Sequence, residues 1–123
     1  MTERKTILVV DDDPDIRFFC TTVLGAAGYN VITADSGESG LEMAQAEKPD
    51  LVILDIIMEH LDSGYRVARA LGRGVPIILF SSILNESDQV FDPDDLPVSA
   101  VVSKPISPKM LRDTVNQILN AGA

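Results

Sequence analysis

The sequence predicts an α/β fold, a parallel five-stranded sheet with helices on both faces. Three observations carry the prediction. Five short, β-branched apolar runs recur along the 123 residues. Runs of that kind read as strands buried on both faces, as parallel strands are. Between them the apolar residues switch to helical spacing, and strand-helix alternation at this length implies one α/β unit. The expected domain is single, residues 1–123, with a core of about 5–120.

The first strand is Ile7-Leu8-Val9-Val10. A helix follows Asp13-Pro14, with Ile16, Phe19, Cys20, Val23 and Leu24 on one face. Asp13 suits its N-cap and Pro14 its first turn. Gly25 or Gly28 can end it. The second strand, residues 31–34, is weaker. Asp35-Ser36 opens the second helix, with Leu41 and Ala44 inward. Leu51-Val52-Ile53-Leu54 is the third strand.

A third helix is expected over 63–71, stopped by Gly72 and Gly74. The fourth strand spans 75–80 and the fifth Ala100-Val101-Val102. Between them, 85–98 carries five acidic residues and two prolines, so at most two helical turns are expected there. Ser107-Pro108 opens the last helix, with Leu111, Val115, Ile118 and Leu119 inward. Crossovers of this kind are right-handed. The fold class is therefore a flavodoxin-like (βα)5 three-layer sandwich of strand order 2-1-3-4-5, with ligands at the carboxyl edge of the sheet.

Composition narrows the function. The net charge is −9, which repels a phosphate backbone and argues against direct nucleic-acid binding. Aromatics are 5% and Trp is absent, so aliphatic side chains must build the core. Met43, Met58 and Met110 are assigned to it. Cys20 stands alone, which excludes an internal disulfide and suits a small core residue. No apolar run approaches the roughly 20 residues that span a bilayer. The Met-Thr-Glu-Arg-Lys start has no apolar signal segment. A cytoplasmic protein without membrane contact is expected, as a monomer or weak homodimer.

Polar residues close four of the strands. Asp11-Asp12-Asp13 follow the first, Asp55 the third, Ser81-Ser82 the fourth and Ser103-Lys104-Pro105 the fifth. In a parallel sheet these ends share one edge. Clustered carboxylates repel each other, and a cation relieves that. Hard oxygens with room for water suit Mg²⁺. A magnesium ion beside a lysine makes a site for a phosphoryl group, whose spread charge needs fixed positive partners. A serine hydroxyl can donate to a phosphoryl oxygen, and one carboxylate can be the nucleophile. Asp13 is assigned to capping alone.

These residues resemble a receiver domain of two-component response regulators. The resemblance rests on Ile-Leu-Val-Val-Asp-Asp-Asp-Pro (7–14), Pro-Asp-Leu-Val-Ile-Leu-Asp-Ile-Ile-Met (49–58), Pro-Ile-Ile-Leu-Phe-Ser-Ser (76–82) and Ser-Lys-Pro (103–105). It implies that Asp55 is the phosphoacceptor. It implies Asp12 as a direct ligand of Mg²⁺ (or Mn²⁺), Asp11 as a ligand through water, and the Ile57 main-chain carbonyl as a further ligand beside Asp55. Ser81 matches the switch hydroxyl and Lys104 the phosphate-pairing lysine. The Lys104–Pro105 bond is expected to be cis by the same resemblance.

The implied reaction moves a phosphoryl group from a phosphohistidine, on a sensor histidine kinase or phosphotransfer protein, to Asp55. The domain is then no enzyme but a phosphoacceptor that assists its own phosphorylation and dephosphorylation. Its downstream effector is unnamed by the sequence. Arg17 and Phe18 on the first helix offer a kinase-docking surface. Ile57 and Ile83 would flank the phosphoryl group without orienting water, which predicts a long-lived phospho-aspartate. His60, without a partner, is assigned to a loop, and Tyr65 and Phe91 to packing or half-exposed positions.

The chain departs from the family in four places. Glu59 stands where proline is usual. Ser63 replaces a common glycine, whose backbone role Gly64 can take over. Val101 replaces the aromatic residue that reports the switch state. The fourth is the acidic segment 85–98 itself. These altered readout positions keep open an interaction module that works without phosphorylation. An aspartate-nucleophile phosphatase of the haloacid-dehalogenase type is the other alternative, with Asp11 as nucleophile and Asp13 as acid. It normally has a longer chain and a cap over its substrate.

Overall fold

A computed structural model describes residues 4–55, 75–81, 100–103 and 107–121. Five parallel strands form one sheet in the order β2-β1-β3-β4-β5. They are β1 (Thr6–Val10), β2 (Asn30–Ala34), β3 (Leu51–Asp55), β4 (Ile77–Ser81) and β5 (Ala100–Ser103). This is the order expected of a flavodoxin-like chain. Strand limits move by one or two residues from the apolar runs. β4 begins at Ile77 because Pro76 has no N–H for the ladder, although its carbonyl still accepts from Val52.

The pleat sorts the sheet into two cores. Leu8, Val10, Val52, Leu54, Ile77 and Leu79 face one side, where Ala44, Leu41 and Met43 of α2 (Gly37–Glu47) cover them. Ile7, Val9, Leu51, Ile53, Ile78 and Phe80 face the other. There Cys20, Val23 and Leu24 of α1 (Pro14–Ala26) join Leu111 and Val115 of α3 (Pro108–Ala121). Every central strand is thus buried on both faces, the reason its sequence is continuously apolar. Cys20 is a core residue, as expected.

Local chemistry ends these helices. The Asp13 carboxylate accepts from the Asp15 N–H at 2.9 Å, and Pro14 opens α1. Past the end of α1, Gly28 takes φ +99°. The Tyr29 N–H then donates to the Leu24 carbonyl and the Gly28 N–H to that of Gly25, a Schellman turn aiming the chain into β2. Of the two glycines expected to stop the helix, Gly28 does so. Ser36 caps α2 by accepting from the Ser39 N–H, and the Ser107 hydroxyl accepts from the Met110 N–H.

Met110 corrects an expectation. Its apolar character places it in the core, yet it is 58% exposed. On α3, Leu111, Val115, Ile118 and Leu119 face the sheet. Met110 lies one residue before Leu111, about 100° around the helix, and so turns to solvent. Met43 packs against the core as expected. Met58, the helix expected over 63–71 and the segment 85–98 lie outside the described residues.

Candidate functional site

Strand register assembles the site. β1 and β3 pair Val10 with Leu54, so the next residues, Asp11 and Asp55, emerge side by side at the carboxyl edge. β3 and β4 pair Asp55 with Phe80, which sets Ser81 one position beyond on the adjacent strand. β4 and β5 pair Ser81 with Ser103, the residue before Lys104 in sequence. Lys104, Pro105, Ile57 and Ile83 lie outside the described residues, as do Glu59, His60, Ser63, Gly64, Tyr65 and Phe91.

Carboxylate oxygens of Asp11, Asp12 and Asp55 lie within 4.8 Å of one another. Asp11 is 1% exposed and Asp55 5%, whereas Asp12 faces solvent. Buried charges of one sign repel strongly in a low-dielectric setting. A hard divalent cation reached through the exposed Asp12 would offset that repulsion. Clustered oxygen donors beside open solvent fit an ion such as Mg²⁺, which retains several waters. The set therefore fits the metal that the sequence predicts.

The loop holding this cluster is tied at several points. The Asp11 N–H donates to the Ala34 carbonyl at 3.1 Å, extending the β1–β2 ladder by one residue. The Asp13 N–H donates to Asp11 Oδ1 at 2.9 Å, which orients that carboxylate. Asp13 itself faces outward as the cap of α1, which is the role assigned to it. One contact is not visible in the sequence pattern. Arg17, half-buried, turns its Nη1 back to donate to the Asp11 carbonyl at 2.7 Å. The available signal was a long donor side chain on the first turn of the helix that follows Asp11. Its neighbour Phe18 is 73% exposed.

Residues 7–116 match the family model of the response regulator receiver domain. The chain is 39% identical over 118 residues to the probable transcriptional regulator ycf27 of Cyanophora paradoxa, covering 94% of this chain and 48% of that protein. It thus spans about half the length of the first curated relatives that it matches. Against the protein PilH of Pseudomonas aeruginosa the identity is 31%, covering 92% of this chain and 96% of that one. The chemotaxis response regulator CheY4 of Vibrio cholerae superposes with a TM-score of 0.84 at 25% identity, covering 94% and 99% of the two chains.

Proposed function

The chain belongs to the response regulator receiver domain family, and on that premise we propose that it accepts a phosphoryl group on Asp55 and switches conformation in response. The observation that carries the reading is the convergence of Asp11, Asp12 and Asp55 at one strand edge, with their oxygens within 4.8 Å. A receiver domain is a signalling domain, and the work asked of this one is positioning and electrostatics.

Asp12 and Asp55 would hold Mg²⁺ or Mn²⁺ directly and Asp11 through water, with the Ile57 carbonyl as a further ligand. When bound, the ion neutralises charge on the transferring phosphoryl oxygens. The donor is a phosphohistidine on a sensor kinase or phosphotransfer protein. An Asp55 carboxylate oxygen forms the new bond to phosphorus as the phosphorus–nitrogen bond breaks. The imidazole nitrogen leaves with the electron pair, so no general base is needed at Asp55. Lys104 pairs with the phosphoryl oxygens and the Ser81 hydroxyl donates to one of them. Drawing Ser81 inward biases the β4 and β5 end of the sheet between two packings.

Asp13 weighs against a haloacid-dehalogenase-type phosphatase. A carboxylate that caps α1 through the Asp15 N–H is poorly placed to serve as general acid. Among the described residues, no helix is long and apolar enough to cross a membrane. Phosphotransfer of this kind draws on ATP, so the proposed setting is the cytoplasm. The partners are a histidine kinase or phosphotransfer protein and a downstream effector, with neither nucleic acid nor membrane in direct contact.

The test is transfer from a radiolabelled histidine-phosphorylated donor. The wild-type domain takes up label with Mg²⁺ and loses that ability in EDTA, and Asp55→Asn takes up none. Equal labelling of Asp55→Asn would refute the reading.

A further inference from the structure

We propose that Arg17 is a positioning residue for the metal site, acting through the main chain of Asp11. The inference rests on Asp11, Asp12 and Asp55 being a metal site, and it adds a residue outside that set. Asp11 is held at its N–H by Ala34, at Oδ1 by the Asp13 N–H and at its carbonyl by Arg17. The first two ties come from the backbone ladder and the loop itself. The third comes from a side chain six residues away, and at 2.7 Å it is a short, charge-assisted bond. Arg17 is also anchored at its own backbone, whose N–H donates to the Asp13 carbonyl at 3.1 Å. One residue therefore clamps both ends of the segment 11–13, which presents the Asp11 and Asp12 carboxylates.

Two physical effects of Arg17 oppose each other. Its positive charge near the cluster disfavours a second cation. Its hydrogen bond removes freedom from the peptide between two ligand residues, so a cation binds a preorganised pair. Groups that fix ligands in this way commonly change metal affinity by about 10–100-fold when removed. At 2.7 Å the bond holds the carbonyl directly, whereas water can screen the charge of a half-buried guanidinium. Positioning therefore outweighs repulsion, and the sign of the effect separates the two.

The experiment is direct Mn²⁺ titration by calorimetry on the full chain, with no phosphate donor present. Arg17→Met keeps the stem and deletes donor and charge. It is expected to bind Mn²⁺ about tenfold more weakly than wild type. Arg17→Lys keeps a cationic donor that can reach a single carbonyl, and it is expected to recover most of the loss. Thermal melting in EDTA separates a structural role, which lowers the melting temperature and leaves Mn²⁺ affinity unchanged. Unchanged or tighter binding by Arg17→Met, or a Lys variant as weak as Met, would overturn the proposal. A wild-type domain that binds no Mn²⁺ overturns the metal site itself and Arg17's role with it.

Discussion

The N–H of Asp13 donates to Oδ1 of Asp11 at 2.9 Å, so the residue that caps α1 also orients a buried carboxylate of the cluster. The start of the helix and the candidate metal site are one piece of structure. A conformational change in the 11–13 loop would disturb both.

The cluster predicts a metal-dependent stability. Without a cation, Asp11, Asp12 and Asp55 repel one another across less than 4.8 Å. Melting in EDTA should rise for Asp55→Asn, by about 1 kcal/mol at an effective dielectric between protein and water. Mg²⁺ at about a hundred times its dissociation constant should stabilise wild type by about 2.7 kcal/mol. It should leave Asp12→Ala nearly unchanged. Equal stabilisation of wild type and Asp12→Ala would mean that the ion binds elsewhere.

Gly40 is required by contact with Val10, the residue before Asp11. A Cβ at Gly40 would stand 2.8 Å from Val10 Cγ2 and 2.9 Å from Cγ1. Alanine normally favours a helix interior by about 1 kcal/mol over glycine, but here it meets a short, buried and rigid side chain. Gly40→Ala should destabilise by about 1–2 kcal/mol in denaturant melts. In a double-mutant cycle, Val10→Ala should absorb about 1 kcal/mol or more of that loss. A stabilising Gly40→Ala would show that α2 stands off β1.

Phe18 separates docking from chemistry. It is 73% exposed on α1, so its removal costs the fold little. Phe18→Ala should change stability by no more than about 0.5 kcal/mol. Its labelling by acetyl phosphate should match wild type while transfer from a cognate histidine kinase slows. Equal transfer rates would remove Phe18 from the docking surface.

The lifetime of the phosphorylated state is a further prediction, drawn from Ile57 and Ile83. By their places two residues beyond Asp55 and Ser81 in the sequence, these branched apolar side chains would flank the phosphoryl group and offer no polar atom to orient water. Ile57→Asn and Ile83→Glu should each shorten the half-life several-fold, measured by loss of label in a chase. If neither does, attacking water is controlled by other groups.

The parts of the molecule legible in the sequence were those set by local rules. Apolar runs located the strands to within one or two residues, and Asp13-Pro14 and Ser36 marked helix starts that the structure shows. The edge that gathers Asp11, Asp12 and Asp55 followed from strand order alone. What escaped depended on long side chains and on angle around a helix. Arg17 looked like a surface residue because a helical pattern does not show that its side chain folds back to Asp11. Met110 looked like core because it is apolar and adjoins Leu111, yet one residue is about 100° of turn. The Ser81 and Lys104 roles rest on the resemblance to the receiver family, since strand pairing carries Ser81 and Ser103 to the edge and stops there.

The most direct test of the central claim is to identify the aspartate that carries phosphate. The domain is treated with acetyl phosphate and Mg²⁺, the acyl phosphate is trapped by borohydride reduction, and the modified residue is located by peptide mass spectrometry. Modification at Asp55 alone, lost in EDTA, is the predicted result. Modification at Asp11, or labelling that persists in Asp55→Asn, would contradict it.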